Sequence, residues 1–185
     1  MRLICRPSLR IVLFLLAARF PVFAQDQPKH VDVAAIAARV DDVSSIDGIM
    51  KAFYEVISGP KGQARQWARD RTLYISDIRF VAMSEDEHGK PVAQIASHQQ
   101  FVDYGDPELV GKGFFEKEIH RVTQRFGNIV HVFSTYESRR AADGPLIARG
   151  INSVELFWDG KRWWIAANTW DDERPDNPIP QQYLP

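Results

Sequence analysis

Four long runs of alternating apolar and polar residues fill the C-terminal half of this chain and restrict its folds more than any other feature. They span about residues 114–126, 129–140, 147–158 and 162–170 and are separated by Gly127-Asn128, Asp143-Gly144-Pro145 and Asp159-Gly160. Glycine, asparagine and aspartate supply the backbone angles that tight reversals need, so the runs read as a four-strand antiparallel meander. Ahead of them lie helical patterns. Ser44-Ser45-Ile46-Asp47 resembles a capping box, and Ile46, Ile49, Met50, Phe53 and Ile57 recur on one helical face until Gly59-Pro60 stops it. Residues 63–69, around Trp67, and 98–104, ended by Gly105-Asp106-Pro107, predict two shorter helices, and the Ala-rich stretch 33–40 another. Residues 73–76, 78–83 and 92–97 read as short strands. Helices first and a meander last give an α+β class.

Side chains alternate along a strand, so the turn pairs fix which residues share a face. Gly127-Asn128 sets Arg121 opposite Ser134, and Asp159-Gly160 sets Val154 opposite Ile165. Pairing Ser134 with Asn152 also brings Glu137 to Arg149 and His131 to Glu155, two complementary pairs. One face then carries Val130, Val132, Ser134, Tyr136, Gly150, Asn152, Val154, Leu156, Trp163, Ile165, Ala167 and Thr169, with no charge, and should receive the helices. The opposite face mixes charges with Phe133, Phe157, Trp164 and Trp170. Aromatics of this kind are enriched in interface cores, which predicts a homodimer through the outer sheet face.

The N-terminus carries a different signal. Arg2, Arg6 and Arg10 precede the apolar run Ile11 to Ala18, and Val22-Phe23-Ala24 precedes polar residues, the order of a secretory signal peptide over 1–24. The apolar run is far shorter than the roughly 20 residues of a spanning helix, so no stable membrane insertion is expected after processing. Export to the periplasm or medium also fits the single cysteine, Cys5, which cleavage would remove. Residues 25–43 then form a lead-in, 44–171 the folded domain, and 172–185, with Pro175, Pro178, Pro180 and Pro185, an extended Pro-rich tail. With 23 Lys+Arg against 24 Asp+Glu, the charge gives no reason to expect a nucleic-acid partner.

The stretches Phe53-Tyr54-Glu55-Val56-Ile57-Ser58-Gly59-Pro60, Ser134-Thr135-Tyr136-Glu137, Arg149-Gly150-Ile151-Asn152-Ser153 and Arg162-Trp163-Trp164-Ile165, with the tail Asn177 to Pro185, resemble the nuclear transport factor two-like (SnoaL-like) superfamily. Within it they are similar to an exported bacterial subgroup without an assigned activity. The resemblance covers about residues 44–171 and implies a cone: N-terminal helices packed into the concave face of a curved, mainly antiparallel sheet. That superfamily includes ketosteroid isomerase, scytalone dehydratase and proteins with no catalysis, so fold alone does not decide function.

The polar groups on the uncharged face, Ser134, Tyr136, Asn152 and Thr169, with Arg121, Trp163 and Tyr54 of the first helix, are the candidate ligand-binding residues. They either line a cavity for a small, mostly apolar ligand or satisfy one another. An isomerase or dehydratase acting on a small carbonyl compound would need a carboxylate base. Asp77 is the candidate, with Tyr54 or Tyr136 as acid, because the alternation places no Asp or Glu inward on the long strands. A dehydratase-like His/Asp pair would require an inward histidine, and the register turns His120 and His131 outward. No metal-ligand spacing is present among the histidines, and no motif implies a cofactor.

Overall fold

A computed structural model describes residues 29–185; the expected signal segment lies outside the described residues. The elements in chain order are α1 (Val40–Val43), α2 (Ile46–Glu55), α3 (Trp67–Arg71), β1 (Arg79–Glu85), β2 (Pro91–Ser97), α4 (His98–Lys112), β3 (Phe115–Phe126), β4 (Ile129–Arg139), β5 (Leu146–Trp158), β6 (Trp163–Asp172) and a 3-10 turn, η1 (Gln181–Tyr183). Six strands form one sheet in the order β2-β1-β6-β5-β4-β3, antiparallel throughout except where β1 runs parallel to β6.

Helix α2 begins where Ser45 accepts a hydrogen bond from the Gly48 amide at 2.9 Å, satisfying one of the free N–H groups of the first turn. Its apolar face buries Ile49, Met50, Ala52, Phe53 and Tyr54. They pack on Val130, Val132, Val154, Leu156 and Ile165 of the sheet, so the uncharged face is the core face.

Three local expectations fail for identifiable reasons. The Ala-rich stretch forms no helix before Val40, and the helix is the single turn Val40–Val43 instead. Residues 73–76 make only an isolated bridge, Tyr74 to Ile165. Helix α4 runs through Gly105 and Pro107 because its flanks hold it: a full capping box between Ser97 and Gln100 starts it, and Arg65 reaches the Leu109 carbonyl near its end. It stops at Gly113 (φ +79°), where a Cβ would lie 2.6 Å from the Arg140 carbonyl oxygen.

Three register shifts interrupt the ladders: one leaves Ile147 unpaired at the start of β5, and the other two reset the alternation around the site. On β3, Glu118 pairs with Tyr136 but His120 pairs with Thr135, leaving Ile119 without a cross-strand partner. Arg121 still lies opposite Ser134, yet Glu118 and Glu116 turn to the same inner face. On β6, Leu156 faces Ile165 but Glu155 faces Ala167, so the next inward residues are Asn168, Trp170 and Asp172. Val154 consequently lies opposite Asn168, not Ile165. Thr169 moves outward and Trp170 inward, against Phe101.

The Pro-rich tail folds back over the outer sheet face. Tyr183 packs on Phe133 at 5.1 Å, and its carbonyl accepts the Thr135 hydroxyl at 2.6 Å, which leaves Thr135 fully buried on the outer side. Removing residues 178–185 would expose that contact and strand a buried hydroxyl. The expected loss is about 2–4 kcal/mol, seen as a melting temperature lower by roughly 5–10 °C. An unchanged melting temperature would show that the docked tail contributes nothing.

Candidate functional site

The site begins with the β3 bulge, because a regular strand would send Glu118 and Arg121 to opposite faces. Brought to one face, they form a bidentate pair, with Arg121 Nε 2.8 Å and Nη2 2.6 Å from the two Glu118 oxygens. Arg121 also donates to Asp47 at 2.7 Å, tying the start of α2 to β3. Glu118 in turn accepts from the Ser134 hydroxyl at 2.5 Å.

Behind this pair, Tyr54 crosses from α2 to the sheet. Its hydroxyl lies 2.6 Å from Ser134 Oγ and accepts from Asn152 Nδ2 at 3.3 Å. Tyr54, Ser134, Asn152 and Glu118 thus form a network whose members satisfy one another. A second pair sits beyond it: the Tyr136 hydroxyl donates to Asp172 at 2.5 Å. Gly150 makes room for it, since a Cβ there would collide with the Tyr136 hydroxyl. Burial pushes both phenols well above the ordinary tyrosine range, so each stays protonated and able to donate.

Between α2 and β3 a cleft of about 450 Å³ opens above these groups. Met50, Tyr54, Ser58, Phe115, Glu116, Glu118 and Arg121 line it, together with Lys51, Glu55, Lys117, Glu137, Arg139 and Ala142. Glu116 stands out chemically. One carboxylate oxygen accepts from Ser138 Oγ at 2.7 Å, and Ser58 bonds the Glu116 backbone amide at 3.0 Å. Burial, reinforced by the charge of Asp172, outweighs the Ser138 bond and pushes the carboxyl up to about 7. Burial raises Asp172 as well.

The expected residues divide accordingly. Tyr54 and Arg121 line the cleft. Ser134, Asn152 and Tyr136 are buried around it, inside the networks just described. Trp163 is buried elsewhere, against Trp158 with Arg125 over its ring, and Thr169 lies on the outer face. Asp77 sits exposed in the turn before β1, away from the cleft lining. The inward acids are instead Glu116, Glu118 and Asp172, all displaced by bulges that strict alternation does not register. An inward histidine also exists: His98 Nε2 lies 2.8 Å from Asp70, which accepts from Tyr74 at 3.1 Å, and all three are buried. None of them lines the cleft, and they join α3, the segment after it and α4. Its only sequence signal is the position of His98 directly after the Ser97 cap.

No protein-family model and no curated protein matches the chain. Solved structures do. The beta subunit of a candidate aromatic-ring-hydroxylating dioxygenase from Novosphingobium aromaticivorans DSM 12444 superposes with a TM-score of 0.53 at 16% identity, covering 74% of this chain and 95% of that one. A protein of unknown function with a cystatin-like fold from Nostoc punctiforme PCC 73102 gives 0.51 at 10% identity, covering 69% and 90%. A nuclear transport factor two-like protein of unknown function from Methylobacillus flagellatus KT gives 0.47 at 13% identity, covering 76% and 98%. The first two superpositions show that the chain shares the architecture of those proteins, one of which is described as a cystatin-like fold: helices packed on one face of a curved, mainly antiparallel sheet. At these identities the likeness concerns the architecture, and the site must be read from its own residues.

Glu116 sets a pH dependence whose sign is fixed. Its carboxyl holds a proton more tightly folded (about 7) than at its ordinary 4.5, so its contribution to stability is full below about pH 4.5 and is lost as pH rises through about 7. Glu116→Gln keeps an acceptor for Ser138 and removes the titration. Urea unfolding should show the variant more stable than wild type at about pH 8, by up to about 3 kcal/mol, and nearly equal at about pH 4. Parallel pH profiles for the two proteins would show that Glu116 is not held in this environment.

Proposed function

We propose that this is an exported binding protein whose cleft between α2 and β3 takes a small, mostly apolar molecule. One observation carries the reading: a cleft of about 450 Å³, in the size range of small-molecule sites, is lined by the apolar side chains Met50 and Phe115 and the Tyr54 ring together with Glu116, whose carboxyl, unlike those of Glu55, Glu118 and Glu137 in the same lining, has no ion-pair partner among the described residues. The fold satisfies Tyr54, Ser134 and Asn152 internally, so they shape the wall rather than wait for a ligand.

A second reading, an isomerase or dehydratase acting on a small carbonyl compound, is favoured by the Glu116 carboxyl, which lies near neutrality as a general base should. In an isomerase reaction Glu116 takes a proton from the carbon next to the carbonyl and returns it at another carbon; in a dehydratase reaction it takes that proton while the hydroxyl on the next carbon leaves and departs with a proton as water. Asp77 has no part in it.

Both readings are tested together by two-dimensional NMR with single-ring probes bearing an amine, hydroxyl, carboxylate or ketone group. Binding is expected to shift the resonances of Met50, Tyr54 and Phe115, and Ala142→Trp, which places a large ring from an exposed position of the lining into the cleft, should abolish the shifts while the protein stays folded. If no probe moves those resonances, the cleft is not a binding site. Proton–deuterium exchange next to the ketone, absent in Glu116→Gln, would favour the catalytic reading.

We further propose that the mature chain begins at Gln25 after export and pairs through the part of the outer face that the tail leaves open, around Phe157 and Trp164. Native mass spectrometry of the secreted protein checks both: the expected species is twice the mass of residues 25–185. A monomer, or a chain retaining residues 1–24, counts against the corresponding half.

A further inference from the structure

We propose that the ligand of this cleft carries a nitrogen cation, an amine or similar group, which seats on the Glu116 carboxylate while its apolar body lies against Met50, Phe115 and the Tyr54 ring. The inference rests on the binding reading above and names the ligand class for that site. It follows from charge accounting. Every other charged side chain of the lining already has a partner of opposite sign: Lys51 with Glu55 at 3.6 Å, Lys117 with Glu137 at 3.9 Å, Arg139 with Glu137 at 2.9 Å, and Arg121 with Glu118 at 2.6 Å and Asp47 at 2.7 Å. Among the described residues Glu116 has no ion pair. Ser138 holds one of its oxygens, and nothing described bonds the other.

The groups facing Glu116 from each neighbouring element supply no counter-charge. Tyr54 comes from α2, Tyr74 from the segment before β1, Tyr136 and Ser138 from β4, and Asp172 from β6. On β3 itself, Glu118 already takes Arg121. The phenols are neutral, and Asp172 adds a second acid to the same region. A carboxylate ligand would meet the Glu116 carboxyl with no unpaired cation in the lining, and a neutral ligand would leave the ionised Glu116 poorly solvated. A cationic head neutralises it and supplies the missing donor. Seating a cation favours the ionised carboxyl, so below neutrality binding must expel the Glu116 proton.

Isothermal titration with benzylamine, benzyl alcohol and benzoate separates the possibilities. At about pH 8 benzylamine should bind at least about 10-fold tighter than benzyl alcohol, the worth of one charge-assisted hydrogen bond, and benzoate most weakly of the three. The advantage should shrink by about 10-fold at about pH 5.5, where Glu116 holds its proton. In Glu116→Gln the amine and the alcohol should bind alike. A measurement on wild type alone supports the same point: at about pH 6 the heat of amine binding should vary with the ionisation enthalpy of the buffer, reporting proton release, while that of the alcohol should not. If benzyl alcohol or benzoate binds as tightly as the amine, or the amine's advantage survives in Glu116→Gln, the cation assignment is overturned and the cleft remains a binding site. If none of the three binds, the binding reading falls and this one with it.

Discussion

One unpaired residue, Ile119, decides what the helices meet on the sheet. By inserting it into β3, the chain turns Glu116, Glu118 and Arg121 toward the interior together. The Glu118–Arg121 pair then closes on itself and reaches Asp47 at the start of α2 and Ser134 on β4. Helix placement and wall polarity therefore share one cause. In a strand that alternated regularly from Arg121, Ile119 would stand where Glu118 does and Lys117 where Glu116 does, and neither the Glu118–Arg121 pair nor the acid in the cleft would exist.

The same economy governs the buried polar groups behind the cleft. Tyr54 is long enough to span from α2 to Ser134 and Asn152, and its ring packs edge-on to Phe53 at 5.1 Å. One side chain thus contributes apolar area and terminates two donors or acceptors that would otherwise be stranded. Tyr136 repeats the device one layer away with Asp172, in space left by Gly150. The His98–Asp70–Tyr74 network does it a third time, at the junction of α3 and α4. Each network fixes an orientation that nondirectional apolar packing would leave free.

Much of this was legible in the sequence, and what escaped did so for a local reason. The Gly127-Asn128 turn sets the β3–β4 register, and the complementary pairs Glu137–Arg149 and His131–Glu155 set that of β4–β5. Those two ladders placed Arg121, Ser134, Tyr136 and Asn152 inward, and with them the core face. Alternation fails beyond Ile119 and at Ala166, because a bulge changes parity without changing composition. Thr169 and Trp170 exchanged faces for that reason, and the three inward acids went unseen. The last turn added to the error: it closes with Trp158 opposite Trp163, a wider loop than a two-residue turn. His98 escaped differently, since a histidine in the first turn of a helix gives no hint that Asp70, 28 residues earlier, is its partner.

The position of Glu116 is hard to explain by stability. Ser138 needs an acceptor, but a neutral amide of the same shape would serve, and α2 and β3 are already joined through Arg121. A carboxyl with no cation nearby, close to Asp172, opposes folding at neutral pH more than a glutamine would. Groups that oppose folding in this way tend to be retained where a site uses them. The cost also falls where it can be recovered: Glu116 faces a cleft open to small molecules, whereas Asp172 is capped by Tyr136 and Glu118 by Arg121. Of the three acids that the bulges turn inward, Glu116 is the one left without a tyrosine or arginine partner among the described residues, and the proposed ligand reading rests on that asymmetry.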